Sequence, residues 1–146
     1  MATGDDGLAM GAEALAAFMA REFPQVAADF AIERVAPREI DVRLRVDERH
    51  LRPGGTVSGP SMFALADVSV YLAVLAMIGP EALAVTTGCS MDFMRKPAAG
   101  TDMIARCRLL KLGRVLAVGD VLLYSEGMDE PVARASMTYS IPPARG

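Results

Sequence analysis

Ser58-Gly59-Pro60-Ser61-Met62-Phe63-Ala64-Leu65-Ala66-Asp67-Val68-Ser69-Val70-Tyr71-Leu72-Ala73-Val74-Leu75-Ala76-Met77-Ile78-Gly79-Pro80 is the stretch on which the fold of this chain turns. Ser58 is a strong N-cap type, and Pro60 suits a first helical turn, where its missing N–H costs nothing. From Ser61 to Ile78 the residues are apolar on all sides of a helix, which requires burial all round. Gly79-Pro80 stops it. The run has nearly the length of a membrane span, but Asp67 at its centre would be costly in lipid, and Gly and Pro flank it instead of basic anchors. The stretch therefore predicts a long helix buried in protein.

The segments on either side supply the cover. Upstream, Gly11 to Phe23 reads as a helix with Leu15, Phe18 and Met19 on one face and Glu13, Arg21 and Glu22 toward water, ended by Pro24. Ala28 to Val35 suits a strand. Ile40, Val42, Leu44 and Val46 alternate with Asp41, Arg43, Arg45 and Asp47, a period of two with one oily and one charged face. Arg49 to Gly59 is a loop whose Gly54-Gly55 pair meets unusual backbone demands.

Downstream, four strands are expected at Leu83–Met94, Thr101–Leu112, Val115–Tyr124 and Pro131–Ile141. The third and fourth strands are each entered through a turn, at Gly113-Arg114 and Gly127-Asp129, which suggests an antiparallel meander. The simplest way to bury the oily helix is one curved sheet wrapped around it. A partner subunit is then needed to cover the edges left open.

The bulk composition narrows function. The chain has 146 residues, 52% of them hydrophobic and 23% charged, with no Trp and a net charge of −3. That is an ordinary single domain with an aliphatic, Met-rich core. Its cations are scattered, so neither nucleic acid nor an anionic membrane is an expected partner. Met1 to Leu8 carries Asp5 and Asp6 and no basic run, unlike a signal peptide. Cys89 and Cys107 have no metal-ligand spacing and read as two buried thiols in a reducing cytoplasm. His50 is the only histidine, which removes most multi-His metal sites.

Three features carry chemistry. Asp67 would cost several kcal/mol to bury unpaired, so it must have a partner, reach a cleft or be kept for reactivity. The N-terminus of the long helix offers unpaired N–H groups at Gly59, suited to a developing oxyanion, whereas Pro60 has none to give. Phe93-Met94-Arg95-Lys96-Pro97 ends a strand in two cations which, with Arg114, suit the phosphates of a nucleotide-bearing substrate.

Taken together, Gly55-Thr56-Val57-Ser58-Gly59-Pro60-Ser61-Met62-Phe63-Ala64-Leu65-Ala66-Asp67 and Met91-Asp92-Phe93-Met94-Arg95-Lys96-Pro97 resemble the hot-dog thioesterases of the phenylacetate-pathway, or PaaI-like, type. That family reads Gly, a short spacer, His-Gly-Gly, a Leu-Ala-Asp helix, and later a strand ending Phe-Leu-Arg-Pro. The resemblance implies an α+β hot-dog fold, a curved antiparallel sheet around a central helix. Residues 1–146 would form one domain, with an N-terminal helix at 11–23 and a core at 28–141.

It also implies an acyl-CoA thioesterase. Asp67 would be the nucleophile or the general base toward water, and Gly59 of the facing subunit would supply the oxyanion N–H. Arg95, Lys96 and Arg114 would meet coenzyme A phosphates, and Thr86 would lie near the acyl pocket. No metal or resident cofactor is implied; coenzyme A enters as part of the substrate. A homodimer or dimer of dimers is expected.

This chain departs from the motif at three places. Ser58 replaces the His, Pro60 the second Gly, and Arg52 an Asn carried upstream by many members. Ser58 can still hydrogen-bond a thioester oxygen or a water. Arg52 could pair with Asp67 or bind a substrate carboxylate. The departures keep a second reading open, a non-catalytic acyl-CoA binding protein. A hot-dog dehydratase ranks third, since it would pair an Asp with a His and His50 precedes the glycine loop. A pocket of Met, Leu and Val would admit fatty and aromatic acyl groups equally.

Overall fold

The computed structural model describes residues 7–143; the acidic start of the chain up to residue 6, and the outer limits of the single-domain reading, lie outside the described residues. The long helix, α2 (Gly59–Ile78), begins as its sequence dictates. The Ser58 hydroxyl oxygen accepts from the Ser61 N–H at 3.3 Å. At its other end Gly79, at φ 96°, donates its N–H to the Leu75 carbonyl at 2.9 Å, a left-handed cap that only glycine takes without strain. The Ala9 and Met10 N–H groups both reach the Ala76 carbonyl, at 2.7 and 3.1 Å, so the incoming chain satisfies a carbonyl that the helix leaves unpaired.

By length and mean hydropathy (2.0) α2 could cross a membrane, yet 61% of that window is buried inside the molecule. It is the core helix. Leu65, Val70, Val74 and Leu75 are wholly buried.

Six antiparallel strands enclose it: β1 (Phe30–Ala36), β2 (Glu39–Leu44), β3 (Val85–Phe93), β4 (Met103–Leu112), β5 (Leu116–Ser125) and β6 (Ala133–Ser140). Their order in the one sheet is β1-β2-β4-β5-β6-β3. The alternation read from sequence is obeyed: Ile40, Val42 and Leu44 of β2 face the core with Met103, Ala105, Cys107 and Leu109 of β4. On the outer face, Arg43 draws Asp102 and Glu126 to 2.9 Å and Glu33 to 3.0 Å, tying β2 to the neighbouring strand ends.

One topological expectation is corrected. Only β4, β5 and β6 form a meander; β3, though next before β4 in sequence, pairs with β6 at the far edge. Each strand's pattern permits either neighbour, and it is the passage of α2 beneath the sheet that sends β3 to the opposite edge. The two edges, β1 and β3, differ. The N-terminal helix α1 (Ala12–Glu22) packs beside β1 with Leu15, Phe18 and Met19 buried. The helices leave β3 largely uncovered. Cys89 on β3 is therefore exposed in the chain, against the expectation of two buried thiols, while Cys107 is buried.

Sheet and helix approach closely where Gly119 of β5 meets Val70 of α2. A Cβ at Gly119 would lie 2.8 Å from Val70 Cγ2. Gly119→Ala is expected to lower stability by roughly 1–3 kcal/mol, since an overpacked core must shift backbone or rotamers. Chemical denaturation gives the value, and an unchanged midpoint would show that α2 can move away freely.

Candidate active site

Asp67 lies two and a half turns into α2, beneath the β3–β6 pair. Its partners come from those two strands. Thr86 Oγ1 donates to Asp67 Oδ1 at 2.5 Å, and the Tyr139 hydroxyl donates to the same oxygen at 2.7 Å. The Tyr139 hydroxyl is also 3.1 Å from the Asp67 backbone carbonyl. Asp67 Oδ2 accepts no hydrogen bond among the described residues. Thr86 and Tyr139 face each other across the strand pair, so one register places both donors. That register includes a bulge between Thr86 and Gly88. The extra residue changes the alternation, so that Thr86 shares the helix-facing side with Cys89, Met91 and Phe93.

The Tyr139 phenol is pushed well above its ordinary value, first by burial and then by the Asp67 charge. It therefore remains a hydrogen-bond donor across the physiological range. Tyr71, buried nearby, is raised to about 12, chiefly by burial, and its hydroxyl reaches the Ala82 carbonyl at 3.3 Å.

Asp67, Thr86 and Tyr139 form the polar wall of a cavity of about 460 Å³. Its other walls are Met19 of α1, Phe23 at the cap of that helix, Val26, Val68, Tyr71, Ala82, Ala84 and Val85. Such a mixture, mostly apolar with a few convergent polar groups, suits a small-molecule site. Phe23 meets Tyr71 edge-on at 5.7 Å between ring centroids, and Tyr71 lies 6.1 Å from Tyr139.

A second cavity, about 520 Å³, lies at the N-terminus of α2 between Arg52, Gly59, Phe93, Arg95 and Lys96. Gly59 makes no backbone hydrogen bond through its N–H among the described residues. A Cβ at Gly59 would sit 3.5 Å from the Phe93 ring, so the open space there is bounded by an aromatic side chain of the same chain.

The other expected site residues divide between these regions. Thr86, expected near an acyl pocket, hydrogen-bonds Asp67 and lines the first cavity. Arg52 does not pair with Asp67: the turn through Gly54 and Gly55, at φ 104° and 84°, carries it to the second cavity. Ser58 is committed to its cap, and its hydroxyl also reaches Ser61 Oγ at 3.0 Å. Pro60 lines a third hollow that includes His50 and Asp67.

Arg95 is partly occupied, donating to the Pro131 carbonyl at 2.5 Å with Glu130 at 3.7 Å, whereas Lys96 and Arg52 make no ion pair among the described residues. Arg114 does not join them within one chain. The β4–β5 turn sits at the sheet end shared with Val85 and Ser140, opposite the end where β3 runs into Arg95. There it borders a cavity with Ile78 and Pro142.

Sequence reading missed Tyr139 and the wall supplied by α1. A signal for the first existed, because a buried Tyr needs a partner for its hydroxyl and a buried carboxylate needs a donor.

Comparison with known proteins agrees with this architecture. The Thioesterase superfamily profile matches residues 54–132. A Silicibacter crystal structure assigned as a thioesterase is 62% identical, with a TM-score of 0.89 over 96% of this chain and 97% of that one. A variant of the phenylacetic acid degradation protein PaaI from Thermus thermophilus is 33% identical, with a TM-score of 0.70, over 82% of this chain and 99% of its own. Human acyl-coenzyme A thioesterase 13 is 25% identical over 82% of this chain and 84% of its own. The six-stranded antiparallel sheet around α2 is thus the hot-dog fold, and the chain belongs to the thioesterase superfamily as a PaaI-like thioester hydrolase.

Proposed function

We propose that the chain hydrolyses acyl-coenzyme A thioesters with medium or long-chain or aromatic acyl groups, using Asp67 as general base. The observation that carries this reading is the asymmetry of the Asp67 carboxylate: two hydroxyls hold Oδ1 while Oδ2 has no partner among the described residues. The two donors fix the orientation of the carboxylate through Oδ1. They leave Oδ2 free to accept a proton from water.

The acyl group would lie in the 460 Å³ cavity with its carbonyl carbon next to that water. As hydroxide forms and attacks, its proton passes to Oδ2 and the carbonyl oxygen becomes an oxyanion. Collapse of the tetrahedral adduct breaks the C–S bond, and the departing thiolate recovers the proton from Asp67.

The oxyanion donor must come from elsewhere. Gly59 and Asp67 are eight residues apart on one helix, about 12 Å along its axis, too far to touch one carbonyl group. A second copy added to the open β3 edge would bring its own Gly59 N–H toward Asp67, and this supports a homodimer, alone or paired into a tetramer. On this reading, Arg52, Arg95 and Lys96 at the second cavity receive coenzyme A phosphates. Ser58 acts by shaping the helix start, and Pro60 by lining the approach to Asp67. The chemistry needs no resident cofactor, and two free thiols agree with a cytoplasmic setting.

Thiol release over a panel of acyl-CoA esters tests the reading. Hydrolysis of some esters is expected, with Arg52→Ala and Lys96→Ala together raising KM several-fold. The same pair should leave KM unaltered for N-acetylcysteamine thioesters, which lack phosphates. An equal change for both substrate types would remove the phosphate contacts from the account. A panel on which no thiol is released would remove acyl-CoA as substrate.

A further inference from the structure

Resting on that reading, we infer that Met19 closes the acyl pocket and sets the longest acyl chain it accepts. Beyond the cavity at Asp67 lies another, about 290 Å³, between α1, β1 and α2. Met19 lines both, and it is only 5% exposed. On α2 the first cavity takes in Tyr71 and the second Leu72, neighbouring residues that point roughly 100° apart around the helix. The Met19 side chain is therefore the partition between two hollows on adjacent faces of one helix.

The geometry gives the chain a direction. A thioester at Asp67 sends its acyl tail away from Thr86 and Tyr139, toward the α1 wall where Met19 stands. The second cavity continues that line with Ala16, Ala27, Phe30 and Ile32, and its mouth carries Glu13 and Arg45. It is an apolar extension ending at charged side chains, and it would take the distal methylenes of a straight chain. Methionine suits a partition of this kind, because an unbranched thioether with three rotatable bonds fills a gap without a rigid shape. With Met19 in place the tail stops in the first cavity; with it shortened the tail passes into the second.

The test is calorimetric binding of straight-chain acyl-CoA esters, from butyryl to palmitoyl, to the Asp67→Asn protein, which holds the esters uncleaved. Affinity is expected to rise with chain length and then level off. Adding Met19→Ala should remove the plateau, tightening palmitoyl-CoA at least tenfold while butyryl-CoA stays within twofold. Further adding Ala16→Leu, which lines only the second cavity, should bring the plateau back. If Met19→Ala folds poorly, Met19→Val shortens the partition less and should move the plateau in the same direction.

A plateau at the same chain length in the shortened variants overturns the inference and leaves the acyl-CoA reading intact. So does an equal change for every ester. Absence of binding by any ester, together with no thiol release by the parent, overturns both.

Discussion

Asp67→Asn is expected to reduce thioester turnover by roughly 10²- to 10⁴-fold, the usual worth of a positioned general base. The substitution is unusually clean here. Both donors, Thr86 and Tyr139, address Oδ1, which the amide oxygen of Asn can replace without loss of either hydrogen bond. The amide nitrogen then takes the position of Oδ2, the oxygen without a partner, and it cannot accept a proton. Fold and assembly should therefore persist while chemistry stops. Asp67→Ala is a harsher change, because it strands the buried Tyr139 hydroxyl and the partly buried Thr86 hydroxyl as well. Single-turnover thiol release, with light scattering on the same samples, checks the expectation. Parental rates from Asp67→Asn in a protein folded and sized like the parent would remove the carboxylate from the mechanism.

The second large effect is expected at the clamp. Hydrogen bonds to a charged group contribute about 1.5–3 kcal/mol, so losing either donor should slow turnover roughly 10- to 100-fold. Tyr139→Phe removes the phenol at 2.7 Å and Thr86→Val the hydroxyl at 2.5 Å. Because both act on one oxygen, the double variant should lose less than the product of the two single losses. The loss should fall on kcat with KM nearly kept, since neither hydroxyl is assigned a contact with the substrate. Tyr139→Phe should also cost some thermal stability, as that hydroxyl holds the Asp67 carbonyl too. A change confined to KM would make Thr86 and Tyr139 substrate contacts instead of positioning residues.

How far the sequence was legible depended on the range of the contact. Helix α2 could be read from its cap, its apolar run and its Gly-Pro stop, because all three are local. The strands were found within two or three residues at each end, since alternation is local as well. The position of β3 was misread because strands of the same pattern can exchange neighbours, and only the passage of α2 decides which edge is free. The bulge at Thr86 was unreadable for a related reason. An extra residue changes the face of a side chain without changing composition.

The site divides along the same line. Asp67 identified itself, because a carboxylate in an otherwise oily helix demands an explanation from sequence alone. Thr86 entered through a family resemblance, Met19 only as part of a helix's apolar face, and Tyr139 not at all. Arg52 was placed through the family motif and Arg114 through a turn pattern; within one chain Arg52 borders the second cavity instead of Asp67, and Arg114 lies at the opposite end of the sheet.

The sequence by itself therefore determined the buried helix, the antiparallel strands that cover it, and the one carboxylate at its heart. Periodicity, capping and the cost of burying charge act over a few residues, and each leaves its mark in the order of side chains. Only the tertiary structure decided which two hydroxyls hold Asp67, which oxygen they leave free, and which side chain ends the cavity beside it. Those facts depend on strand register and on distances between segments some 20 to 70 residues apart, where many arrangements share one sequence pattern and packing selects among them.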